Sequence, residues 1–128
     1  MSFFDKVFGN SETTSNVSKV NWLALVTMSQ LDEVVKQSFE KPVLLFKHST
    51  RCSVSRMVLR QFENAFMLEE EITPYFLDLL EHRDISNEIA FRFGVQHQSP
   101  QLIVLKDGIA VYHTSHESID VEDLKRFV

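Results

Sequence analysis

The segment from Pro42 to Phe66 constrains the fold more than any other part of the chain. Proline blocks continuation of a preceding helix, and Val43 to Phe46 is then a short unbroken apolar run, the pattern of a strand covered on both faces. Within a few residues the period changes. Val54, Met57, Val58, Phe62, Ala65 and Phe66 recur every three or four positions, which predicts a helix of about four turns from near Cys52 to Phe66. A buried strand leading through the turn His48-Ser49-Thr50-Arg51 into a long helix is the first part of a β-α-β unit. Cys52 lies at the junction.

The flanking sequence repeats this alternation. Asn21 to Val26 is readable as a first strand, and Ser29 as the N-cap of a helix from Gln30 to about Ser38 with Leu31, Val34 and Val35 on one face. Tyr75 to Leu79 follows Pro74 as another apolar run. The next helix, about Ile85 to Phe93, aligns Ile85, Ile89 and Phe93 before Gly94, a C-terminal stop. Gln101 to Leu105 and Ile109 to His113 flank Lys106-Asp107-Gly108, a hairpin turn, and Asp120 is placed to cap a last helix bearing Val121, Leu124 and Val128. The expected order is β-α-β-α-β-α-β-β-α. Right-handed crossovers then favour an α/β fold with a central mixed sheet, helices on both faces and a closing antiparallel hairpin, which is the thioredoxin-like arrangement.

Upstream, Met1 to Gly9 carries Phe4, Val7 and Phe8 at helical spacing, and Asn10 to Ser18 is a polar run without periodicity. Residues 1–18 therefore divide as a short amphipathic segment plus a polar tether from a single domain over 19–128. A length of 128 residues with eleven phenylalanines supplies one ordinary core and leaves no room for a second domain. The formal charge of −5 gives the global field the wrong sign for nucleic acid. No apolar run approaches a membrane span, and the N-terminus lacks the features of a secretory signal, so the expected location is the cytoplasm. One cysteine cannot form an internal disulfide, and a reducing compartment would keep it free.

A lone cysteine is ordinarily a small apolar filler, and its setting has to argue otherwise. At a helix N-terminus, unpaired backbone N–H groups and the positive end of the dipole stabilise a thiolate over a thiol and populate the nucleophile near neutral pH. Lys41, Lys47, Arg51, Arg56 and Arg60 fall in a stretch without any Asp or Glu, a focused positive patch in an acidic chain. Arg51 is the candidate for direct influence on the sulfur; Arg60, two turns into the helix, is expected on a solvated face. Cys52-Ser53-Val54-Ser55 has the spacing of a C-x-x-C redox motif with serine in the second position. Serine cannot resolve a mixed disulfide, so an adduct on Cys52 must be released by a thiol from outside the chain. Ser55 is placed either to donate a hydrogen bond to the thiolate or to serve as a surface or capping serine. His48, four residues before the cysteine, is placed to tune it or to cap the strand end. Ser99-Pro100, directly before a strand, suits a cis bond at a tight turn. Five histidines invite a metal reading, but His113 and His116 are three apart on a strand and point to opposite faces, so no metal site is expected.

Three blocks in order, Lys47-His48-Ser49-Thr50-Arg51-Cys52, Gly94-Val95-Gln96-His97-Gln98-Ser99-Pro100-Gln101 and His113-Thr114-Ser115-His116, resemble the monothiol bacilliredoxin family, the YtxJ-like proteins. The resemblance runs from about Trp22 to the C-terminus. Family members usually carry Thr-Cys-Pro-Ile-Ser at the active turn, where this chain has Arg51-Cys52-Ser53-Val54-Ser55. The resemblance implies a glutaredoxin-like protein that uses bacillithiol, a cysteine joined to glucosamine and malate, as co-substrate, with no tightly bound cofactor. It further implies a cis-proline loop facing the cysteine, with Ser99, Pro100, His48, Lys47 and His113 as substrate-binding candidates beside catalytic Cys52 and Ser55; Arg51, where the family has Thr, is added as a catalytic candidate by its charge alone. Its partners would be bacillithiolated or oxidised proteins and a small anionic thiol, whose malate carboxylates suit the basic stretch. Two other readings stay open: a module ligating an iron-sulfur cluster through Cys52 and a small thiol, and a non-catalytic scaffold with Cys52 merely packed.

Overall fold

The computed structural model describes residues 20–128, so the expectations for residues 1–18 lie outside the described residues. The chain runs β1 (Leu23–Ala24), α1 (Ser29–Gln37), β2 (Val43–His48), α2 (Ser53–Ala65), β3 (Thr73–Asp78), α3 (Arg83–Phe93), β4 (Gln101–Lys106) and β5 (Ile109–Ser115). Two 3₁₀ segments follow, His116–Ser118 and Val121–Phe127. The five strands lie in the order β1-β3-β2-β4-β5. β2 pairs parallel with β3 and antiparallel with β4, so the mixed sheet and terminal hairpin expected from the element order are both present.

Because alternate residues of a strand face opposite ways, the buried strand β2 feeds two cores. Val43 and Leu45 join Leu31, Val34, Ile85 and Ile89 on the α1/α3 side. Leu44 and Phe46 join Val58, Phe62, Phe66 and the C-terminal Val121 and Leu124 on the α2 side. On that second side Trp22 stacks on Phe62 at 5.8 Å between ring centres, and its indole N–H donates to Glu63 at 2.7 Å. Pro74 sits inside β3 without breaking the ladder to β2. The Thr73 N–H donates toward β2, to the Pro42 carbonyl, so the missing donor of Pro74 faces the side where β1 starts only at Leu23, opposite Tyr75.

Several expectations are corrected. The first strand is two residues long rather than six, and Ser29 is already helical. No side chain caps the helix; the Gln30 Oε1 instead accepts the Val26 and Thr27 N–H groups of the segment entering it, at 2.6 and 2.9 Å. Strand β2 extends two residues past Phe46 and buries Lys47 and His48. The last helix is 3₁₀ in form, although Asp120 caps it as expected by accepting the Glu122 N–H. The hairpin turn holds: Asp107 and Gly108 both have positive φ, and the Asp107 and Gly108 N–H groups donate to the Ser38 carbonyl and hydroxyl.

Candidate active site at the start of the second helix

Cys52 is the N-cap of α2, with extended backbone angles (φ −103°, ψ 121°). Its N–H donates to the Ser49 carbonyl at 3.2 Å, closing the turn out of β2, and its own carbonyl accepts the Arg56 N–H at 3.0 Å, opening the helix. No side chain caps this helix, and its first turn contains no acidic residue. The first N–H groups of the helix are therefore left for an anion at the N-cap. The thiol is free and half-buried, so it is reachable from solvent.

The turn is built from beneath by Ser55 and His48. Ser55 is fully buried; its Oγ accepts the Ser49 N–H at 3.1 Å and lies 2.8 Å from His48 Nδ1. Its hydroxyl is thus occupied by the turn and the imidazole, and the expected donation to the sulfur is not made in this structure. Burial pushes the His48 imidazole below its usual range; Asp78 and Glu63 pull it back up and Arg56 adds to the lowering. Ser55 Oγ has no other acceptor within reach among the described residues, so its proton is assigned to Nδ1 of the neutral ring, whose own proton then sits on Nε2. The ring also lies against Phe76, 5.5 Å between centres.

The positive patch is smaller than the sequence suggests. Arg51 is exposed beside the cysteine, and Arg56 donates to the Thr50 carbonyl at 3.0 Å, bracing the turn from outside. Lys41 donates to the Glu70 carbonyl. Lys47, expected at the surface as a substrate-binding group, is instead wholly buried on the α1/α3 side of the sheet and cannot touch a ligand. Its ammonium donates to the Ser86 carbonyl at 3.1 Å and lies 3.3 Å from His97 Nδ1; burial lowers its pKa to about 8.

Ser99–Pro100 is a cis peptide. Lys47 pairs with Gln101 across β2 and β4, so the next residues outward, His48 and Pro100, sit at the same end of the sheet as the Cys52 turn. Ser99 Oγ and Gln101 Oε1 are buried without a hydrogen-bond partner among the described residues. His113 is not brought to this end. It is exposed on β5 opposite Ile103, on the sheet face away from α2. Among the described residues, no cluster of three or more His, Cys, Asp or Glu is placed to hold a metal, and no helix is long and apolar enough to cross a membrane.

Comparison with known proteins converges on this arrangement. The family model described as monothiol bacilliredoxin BrxC matches residues 23–124. A solved protein of thioredoxin fold, described with a provisional oxidoreductase assignment, is 31% identical, with a TM-score of 0.70 over 81% of this chain and 90% of that one. Thioredoxin from Malassezia sympodialis (19% identity, TM-score 0.64, 86% and 90% covered) and mitochondrial thioredoxin 3 from Saccharomyces cerevisiae (16%, 0.65, 91% and 95%) share the fold. The chain belongs to the monothiol bacilliredoxin family and is a thiol-disulfide redox protein of thioredoxin fold.

Proposed function

We propose that this monothiol bacilliredoxin removes bacillithiol, or a similar small anionic thiol, from protein mixed disulfides through Cys52. The observation that carries the reading is the position of Cys52: a half-buried thiol at the N-cap of an uncapped helix whose first turn holds no acid, at the cis-proline end of the sheet. A helix terminus of this kind favours an anion, and the thiolate is the attacking species in disulfide exchange.

In the first step the Cys52 thiolate attacks the bacillithiol sulfur of a modified protein. The protein thiolate leaves and is protonated, and Cys52 holds bacillithiol as a mixed disulfide. Ser55 cannot resolve this adduct because it carries no sulfur. A second bacillithiol thiolate attacks the bound bacillithiol sulfur, Cys52 leaves as thiolate, and the small thiol departs as its own disulfide. Net, one bacillithiol is oxidised for each protein thiol restored. Arg51, exposed and directly before Cys52 in the chain, supplies a cation for the malate carboxylates, with Arg56 one helical turn further on. The Ser99 hydroxyl is buried and does not reach the substrate; the cis-proline turn it precedes is the part of this loop that lies at the Cys52 end of the sheet. The partners are bacillithiolated or oxidised proteins, and the reducing cytoplasm is the compartment in which a single thiol of this kind stays available.

The test is transfer from a bacillithiolated protein to Cys52. Cys52→Ala is expected to abolish release of bacillithiol and adduct formation alike. Release by the variant at the parental rate would remove the proposal.

A further inference from the structure

On the sheet face opposite the cysteine, three polar groups meet in the interior. Lys47 of β2 is fully buried, and its ammonium donates to the Ser86 carbonyl of α3 at 3.1 Å. His97, in the loop before the cis-proline, places Nδ1 3.3 Å from that ammonium and 3.2 Å from the Ser86 hydroxyl. An ammonium has no lone pair, so Nδ1 must be the acceptor and the ring proton must sit on Nε2. A second tie holds the same loop from β4: the Gln101 amide, buried and paired in register with Lys47, donates to the Gln96 carbonyl at 2.9 Å. The loop that ends in Ser99–Pro100 is therefore moored to the strand that delivers Cys52 five residues later.

We infer that Lys47 is a positioning residue: with His97 it holds the cis-proline loop at the height of the Cys52 turn, and so sets how well a disulfide substrate is seated without touching it. This deepens the proposed function and rests on it. Burying a lysine without an acid costs stability, and no carboxylate contributes to either partner; the groups acting on His97 are Lys47 from β2 and Arg83 from α3, both cationic. β3 presents Leu77 and β4 presents Gln101 at the same rung, both uncharged. Burial, then Lys47, then Arg83 keep His97 below its usual range, which preserves its acceptor nitrogen at neutral pH. Acid that protonates Nδ1 would set two cations face to face and release the loop.

The experiment compares the parent with Lys47→Met and His97→Gln, using a bacillithiolated peptide as substrate and iodoacetamide as a small probe that needs no loop. Lys47→Met is expected to raise KM about tenfold, the scale of one charge-assisted hydrogen bond, with kcat and the alkylation rate of Cys52 each within about twofold. In the parent, KM should climb as the pH falls through the His97 titration. His97→Gln keeps an acceptor oxygen at every pH and should lose that climb. An unchanged KM in Lys47→Met, or an acid climb that survives in His97→Gln, overturns the inference. Amide exchange separates this from failure of the redox reading itself. Even if the parent turned over no bacillithiolated peptide, Lys47→Met should speed exchange of the His116 N–H, which donates to the Pro100 carbonyl at 2.9 Å, about tenfold, and unchanged exchange there counts against the mooring.

Discussion

Replacing Lys47 by methionine should change how stability depends on alkaline pH. The ammonium is wholly buried, and its pKa is about 8 in the fold against 10.5 when solvated. Below pH 8 both folded and unfolded chains carry the proton, and the fold bears the full burial cost. Between 8 and 10.5 the folded chain has released the proton while the unfolded chain still holds it, so stability rises with pH; above 10.5 both are neutral. At about 1.4 kcal/mol per pH unit, that window corresponds to about 3 kcal/mol. Methionine fills much of the same volume and has no titration. The stability of the parent minus that of Lys47→Met should therefore grow by about 3 kcal/mol between pH 7.5 and 10.5. Urea unfolding in the presence of a reductant measures it, followed by fluorescence of Trp22, the single tryptophan, which is packed against Phe46 and Phe62. Tyr112, whose pKa is raised by burial, weakens the fold at high pH in both proteins and cancels in the difference. A difference that stays constant across this range would refute the reasoning, because it would mean that the ammonium is solvated in the fold.

Three further outcomes follow from the same contacts. Ser55→Ala leaves the Ser49 N–H and His48 Nδ1 without their shared partner, which should cost roughly 1–3 kcal/mol and raise the His48 pKa, since the neutral ring loses its donor; NMR titration of His48 that shows no upward movement would contradict this. His48 and His97 both titrate below 6.5, so the unfolded chain binds protons first as the pH falls, and stability should decline from about pH 6.5 downward; an acid-side urea series without that decline would count against the neutral assignment of both rings. Gly108→Ala combines a φ of +83° with a new Cβ 3.2 Å from the Phe39 ring, and about 1–2 kcal/mol of stability should be lost, read as a lower urea midpoint; an unshifted midpoint would show that the turn relaxes freely.

The parts of the fold that were legible from sequence are those in which one local pattern decides. The period change between Val43 and Phe66, the Asp107-Gly108 turn and the Gly94 stop each specify their element without help from distant residues, and Cys52 is placed by the first of them. Lys47 was not legible, because a lysine after an apolar run ordinarily marks the strand's exit to water. Its burial depends on the Ser86 carbonyl, 39 residues away, and on His97, 50 residues away. Ser55 was singled out for its spacing from Cys52, but its partners come from the opposite direction, His48 and Ser49. His113, a substrate-binding candidate, faces away from the α2 side. An unbroken hairpin would set it opposite Leu102, on the α2 face, whereas the register shift at Val104/Leu105 pairs it with Ile103 and turns it to the other side. Alternation along a strand carries no warning of such a bulge.

The most direct measurement is the intact mass of the reduced protein after brief incubation with bacillithiol disulfide and, separately, with other low-molecular-weight disulfides. A single adduct, heavier by one bacillithiol moiety, absent from Cys52→Ala and removed by free bacillithiol, is the predicted result. A parent chain that stays at its unmodified mass with every disulfide would contradict the claim that Cys52 exchanges with a small thiol.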